Sequence, residues 1–288
     1  MSFSDLKRKS QTNFDFLQKE LEKSSSGKNV DERFWKPEVD ASGNGYAVIR
    51  FLPAPTKEDL PWAQVFSHAF QGPGGWYIEN SLTTLGQQDP VGDLNRVLWN
   101  SGLDSDKDVA RKQKRKLSYY SNIYVVKDSA NPSNEGKVFL YRFGKKIFDK
   151  IMESMQPAFE DETPVNPFDF WKGADFKLKI TRVAGFWNYD KSEFAETSTL
   201  GDFSDKELEA IWKEEHSLAA FTADDQFKSY EDLKLRLETT LKGNYSKPVD
   251  EEVFEEEAET PTPVAATAPS AAPETDTLSY FAKLAQDD

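Results

Sequence analysis

At 288 residues, with 38% hydrophobic and 13% aromatic side chains, the chain is long and apolar enough to bury a core, which excludes a wholly disordered protein. It has no cysteine, which excludes a disulfide framework and fits a reducing compartment, and no apolar run approaches the roughly 18 residues of a membrane span. The formal charge of −14 argues against a nucleic-acid partner only if the charges are evenly spread, and they are not.

Residues 1–31 read as a basic, flexible N-terminal arm. Leu6 precedes Lys7-Arg8-Lys9-Ser10, and Phe14, Leu17 and Leu21 continue at helical spacing before a Ser24-Ser25-Ser26-Gly27 linker. The start lacks a signal-peptide pattern, so a soluble intracellular protein is expected. Residues 32–245 read as a folded α+β core. The turn Gly43-Asn44-Gly45 precedes a strand at 46–52 that stops at Pro53, and further strands are predicted at 122–127, 138–143 and 176–183. In 138–143 the period of two places Val138, Leu140 and Arg142 on one face and Phe139, Tyr141 and Phe143 on the other. Packing helices are predicted over 145–155 and after Ser204, whose spacing to Glu207 is that of a capping box. A third begins near Ser229, with Tyr230, Leu233, Leu237 and Leu241 on its buried side. Residues 246–288 read as a disordered tail: from Asp250 onward there are eleven acidic residues and one lysine, and Pro, Ala and Thr dominate 261–273. Its end, 278–284, is apolar enough to serve as a docking peptide.

With the tail set aside, the charge inside the core becomes visible. Between Val109 and Lys150 there are eleven Lys/Arg and three Asp/Glu. Five of the cations lie in Arg111-Lys112-Gln113-Lys114-Arg115-Lys116, which runs into Ser118-Tyr119-Tyr120. Cations that track phosphates, next to flat rings on which unpaired bases stack at roughly 1–3 kcal/mol each, are what sequence-tolerant single-strand binding requires. A solvated basic loop beside core aromatics would give the same letters, so composition alone leaves both readings open.

The segments 43–53, 76–79, 114–128, 134–146 and 185–190 are similar to the single-stranded DNA-binding proteins of T-even-type phages, in the same order along the chain. The resemblance implies an oligonucleotide-binding barrel (OB-fold) that coats single-stranded DNA cooperatively during phage replication, recombination and repair, in the cytoplasm of the infected bacterium. It implies strand contacts at Arg50, Lys114, Arg115, Lys116, Tyr119, Tyr120, Tyr141, Phe186 and Tyr189. It also implies self-association along the strand through Lys7, Arg8, Lys9 and Ser10, and recruitment of replication and recombination proteins by the acidic tail. Tyr120 stands where the family often has tryptophan, which keeps a stacking face.

The family often carries a structural zinc held by one histidine and three cysteines. Here His68 matches the histidine, but Ser81 stands at the first cysteine and Val91 and Leu94 near the others. A tetrahedral zinc needs four good ligands, so no metal is expected. His68 is then a satisfied structural histidine, His216 lies on a polar helix face, and the loop 71–102 is held by packing through Trp76 and Trp99. No phosphate-binding GxxxxGK[ST], HExxH or GxSxG motif is present, and Asp104-Ser105-Asp106 fails as a calcium loop because Val109 and Arg115 replace the glycine and glutamate. An enzyme is therefore not expected. The competing reading is an acidic interaction scaffold with weak or RNA-directed binding.

Overall fold

The computed structural model of the protein describes residues 31–159 and 161–242. Lys7, Arg8, Lys9, Ser10 and the acidic tail lie outside the described residues.

The described residues form a mixed α+β fold with nine strands and five α-helices. The strands are β1 (Phe34–Trp35), β2 (Gly45–Phe51), β3 (Ala63–Gly72), β4 (Gly75–Asn80), β5 (Lys116–Asp128), β6 (Val138–Phe143), β7 (Ala174–Val183), β8 (Phe186–Asn188) and β9 (Glu193–Thr197). The helices are α1 (Pro90–Asn100), α2 (Asp104–Lys112), α3 (Lys145–Met155), α4 (Asp205–Lys213) and α5 (Tyr230–Lys242). The strands connect in the order β1-β6-β5-β2-β7-β8, with β3 on β5, β4 on β3 and β9 on β7.

The organising element is β5. Its first half pairs with β3, its second half with β2, and β6 runs antiparallel along its other edge. A bulge between Val48 and Ile49 shifts the β2–β5 register, which bends a strand that must serve two neighbours. Phe51 ends β2 at the centre of the core, fully buried, with the rings of Phe143, Phe168 and Phe176 at 5.5, 5.7 and 5.8 Å. Offset and edge-on rings at these distances add to the area each one buries.

The predicted strands at 138–143 and 176–183 and the helix at 145–155 coincide with β6, β7 and α3. The capping box of α4 is formed, with the Ser204 N–H donating to Glu207 Oε2 at 2.8 Å. Two expectations are corrected. β5 begins at Lys116 rather than near residue 122, because its first half is tied between β3 and β6 despite its polar letters. The stretch 71–102 is not a loop: it completes the β3–β4 hairpin, makes a 3-10 turn at Leu82–Leu85 and forms α1. Helix α5 closes over that hairpin. The Gly74 N–H donates to Thr240 O at 2.7 Å, and a Cβ on Gly74 would lie 2.1 Å from Thr239 O, so only glycine admits this approach.

Candidate nucleic-acid interface

The basic segment is set in place from beneath. Lys114 and Arg115 are exposed between the end of α2 and the start of β5. The carbonyl of Gln113, just before them, accepts from Asn95 Nδ2 at 3.2 Å and faces His68 Nδ1 at 2.9 Å. His68 Nε2 in turn lies 3.3 Å from Asp89 Oδ1. Asp89 is the N-cap of α1: Oδ1 accepts from the N–H groups of Val91 and Gly92, and Oδ2 from Leu82 N–H and the Ser81 hydroxyl. Burial pushes its carboxyl up, but the hydrogen bonds from His68 and Ser81 outweigh that and hold it down at about 2.

The positions of the implied zinc ligands do not fit a metal. The Ser81 hydroxyl and the His68 ring are engaged with Asp89 and Gln113, while Val91 and Leu94 offer only hydrocarbon. Among the described residues no group of three or more His, Cys, Asp or Glu side chains could hold an ion. What holds this region is the Asp89 hub together with a cluster of Phe70, Tyr77, Val91 and Leu237. The expected anchors do not do so: Trp76 is half-buried and Trp99 is 50% exposed. His216 lies beyond the end of α4 rather than on a helix face, with its backbone N–H and C=O both bonded to the Asn122 side chain.

From Lys116 the strand alternates, and residues paired across β3 and β6 share its faces. On one side lie Arg115, Leu117 and Tyr119. The Arg115 guanidinium sits 4.4 Å from the centre of the Phe66 ring on β3, and Tyr119 is buried, stacked on Phe148 of α3 at 3.9 Å. Helix α3 begins with Lys145-Lys146, which adds cations to the positive end of its own dipole, an arrangement that costs stability and attracts anions. Lys150 Nζ donates to Asp190 O at 3.2 Å, which ties the β7–β8 hairpin to this helix. The hairpin turns through Ala184 and Gly185, both at positive φ (52° and 94°), and presents Phe186 at 37% exposure, with Trp187 and Tyr189 packed against the core. The same helix thus joins three features: its Phe148 stacks on Tyr119 of the face that carries Arg115, its first turn carries Lys145 and Lys146, and its Lys150 holds the end of the hairpin.

On the opposite face lie Lys116, Ser118 and Tyr120. Tyr120 stacks on Phe221 at 4.3 Å, and Arg142, its partner on β6, reaches over the ring at 6.0 Å while donating from Nε to Ser118 Oγ at 3.0 Å. Tyr141 is buried against Trp35. Arg50 is fully buried: Nε donates to Asp175 Oδ1 at 2.7 Å, Nη1 to the carbonyls of Asp169 and Ser198, and Nη2 to Ser198 Oγ. The structure therefore sets Lys114 beside Arg115 ahead of β5, sends Arg115 to one face of that strand and Lys116 and Tyr120 to the other, places Phe186 and Tyr189 on and just after the β7–β8 hairpin, and puts Arg50, Tyr119 and Tyr141 inside. Sequence reading passed over Phe66 and assigned Arg142 no role; the alternation in β6, which left Arg142 among apolar neighbours, was the available signal for the second.

Residues 43–241 match the family described as gp32 DNA binding protein like. The chain is 41% identical over 213 residues to the single-stranded DNA-binding protein of Enterobacteria phage T2, covering 73% of this chain and 70% of that one. It is 40% identical over 232 residues to the single-stranded DNA-binding protein of Enterobacteria phage T4, covering 80% and 77% respectively.

Proposed function

Because the chain belongs to the gp32-like DNA-binding family, we propose that it coats single-stranded DNA in phage replication without reading sequence and catalyses no reaction. The observation that carries this is the pairing of exposed cations with ring surface: Arg115 over Phe66, Lys145-Lys146 at the start of α3, and Phe186 at the tip of the hairpin that Lys150 of the same helix holds. The contacts we assign are Lys114, Arg115, Phe186 and Tyr189; Lys116 and Tyr120 lie on the other face of β5, where Tyr120 is stacked on Phe221. Tyr119 and Tyr141 act beneath them as packing, and Arg50 as an internal strut. A β5 shared by β2, β3 and β6, with a bulge in its pairing to β2, around one aromatic core supports an OB-fold barrel.

The arm residues Lys7, Arg8, Lys9 and Ser10 would join neighbouring copies on the strand. The acidic tail would compete for the interface cations and recruit replication and recombination proteins in the cytoplasm of the infected cell. Removing residues 1–23 should leave binding to a short oligonucleotide and abolish clustering on long strands. Removing 250–288 should strengthen binding at low salt. The absence of good ligands around His68 supports a zinc-independent core, which metal analysis of the purified protein tests.

Tryptophan fluorescence titration with poly(dT) and with duplex DNA at several salt concentrations tests the main reading. About five phosphate contacts give a log-log salt slope of about −3.5 for a single strand. A slope near zero, or no preference for poly(dT), would favour an interaction scaffold instead.

A further inference from the structure

Helices α1 and α2 pack against each other and leave a cavity of 530 Å³ beside the Lys114–Lys116 segment. Its size falls within the range of small-molecule sites. Arg96, Arg111, Lys114 and Arg115 line it, together with Trp99. The one acidic liner is Asp89, whose oxygens are engaged by the hydrogen bonds of the hub. Arg96 leans toward Asp93 at 3.5 Å, and Arg111 pairs with Asp108 within its own helix.

Two details narrow the occupant. Trp99 is half exposed, and Arg111 sits 5.4 Å from the centre of its ring, so the indole already stacks with a cation and still offers surface. Asn95 and Asn100 add amide side chains to the lining. A flat group with phosphate attached satisfies both features: ring on Trp99, anion to the cations. An acidic peptide would satisfy the cations and leave the ring without a matched partner.

We infer that the α1–α2 cavity is a further nucleotide subsite, in which one base of the strand stacks on Trp99 while its phosphate meets Arg96 and the Lys114–Arg115 pair. This rests on the strand-binding reading above and extends the interface past the basic segment onto the two helices. Because Trp99 is half exposed, its replacement removes little packing, so binding can be read apart from folding.

The full chain and the Trp99→Ala, Trp99→Phe and Arg96→Gln variants should be titrated with single-stranded oligonucleotides at several salt concentrations, with thermal unfolding recorded in parallel. Trp99→Ala should bind about tenfold more weakly with an unchanged salt slope, Trp99→Phe within about threefold of the parent, and all should melt together. Arg96→Gln should reduce the slope by about 0.7, the share of one phosphate. The part of the fluorescence quench lost in Trp99→Phe reports the stacked base directly. Parent-like affinity in Trp99→Ala, alongside salt-dependent binding by the parent, overturns the subsite and leaves the strand-binding reading intact. If the parent fails to bind single strands, both readings fall. If a peptide of residues 274–288 quenches Trp99 and an oligonucleotide does not, the cavity serves a peptide and the inference is wrong.

Discussion

Replacing Asp89 tests whether a carboxylate hub holds the region between β3 and β5. Asp89→Ala removes the N-cap of α1, a change that typically costs about 1 kcal/mol. It also strands the Leu82 N–H and the facing nitrogen of His68, both in a buried setting where a lost partner costs about 1–3 kcal/mol each, and leaves the Ser81 hydroxyl only Thr83 to bond. The terms overlap, so about 3–5 kcal/mol is expected, the range for breaking a buried pair. Asp89→Asn keeps an acceptor for the helix and loses the charge, so it should cost less, and Ser81→Ala less again. Urea unfolding of all three gives the ordering. The pH dependence follows from the depressed carboxyl: its contribution is complete above the unfolded value of 3.8 and is lost as pH falls through about 2. The parent should therefore lose stability over this range more steeply than Asp89→Asn. An Asp89→Ala protein within 1 kcal/mol of the parent, or equal acid sensitivity in the two, would refute the hub.

Arg50→Met should destabilise the core by about 3 kcal/mol in urea, because Asp175 and two carbonyls lose their donor, yet leave the salt slope of DNA binding unchanged. A slope reduced by about 0.7 would instead place Arg50 on a phosphate. Burial, with Glu58 nearby, pushes the Glu215 carboxyl up to about 9, and neither of its oxygens has a hydrogen-bond partner among the described residues. Its favourable contribution is thus complete below the unfolded value of 4.5 and is lost as pH rises through about 9. Glu215→Gln should flatten the fall in stability between pH 5 and pH 9 by at least about 1 kcal/mol; parallel curves would contradict this. Ala184→Gly should raise the melting temperature slightly by relieving a positive φ of 52°, and an unchanged or lower value would show that the turn is not strained.

Elements with one clean periodicity were legible in the sequence. β6, β7, α3 and the capped start of α4 each carry a pattern that their own packing satisfies. The first half of β5 was not, because Lys116, Ser118 and the two tyrosines become strand through pairing with β3 and β6, which no local letter records. Residues 71–102 looked like a loop for a related reason: α1 is started by Asp89, whose capping role is plain only once Ser81, Leu82 and His68 are gathered round it. Among the candidate contacts, residue type did not tell which side chains are exposed. Tyr119 and Tyr120 are adjacent, so alternation sends one into the Phe148 stack and the other to the opposite face, and the same rule buries Tyr141.

The hub and the basic segment are parts of one construction. Gln113 ends α2, and its carbonyl is fixed by His68 and Asn95, so the direction in which Lys114 and Arg115 leave the helix is set by groups that Asp89 fixes in turn. A flexible basic loop would lose conformational entropy each time it ordered on a strand, at up to about 2 kcal/mol for each long side chain immobilised on an ordered backbone. Here the backbone is already ordered, and Arg115 rests on Phe66. Affinity in this protein should therefore depend on a carboxylate buried beneath the interface that touches no DNA. Substitutions at Asp89 that leave the protein folded should weaken binding without changing the salt slope, because the number of phosphates met stays the same while the ordering of the cations that meet them is lost.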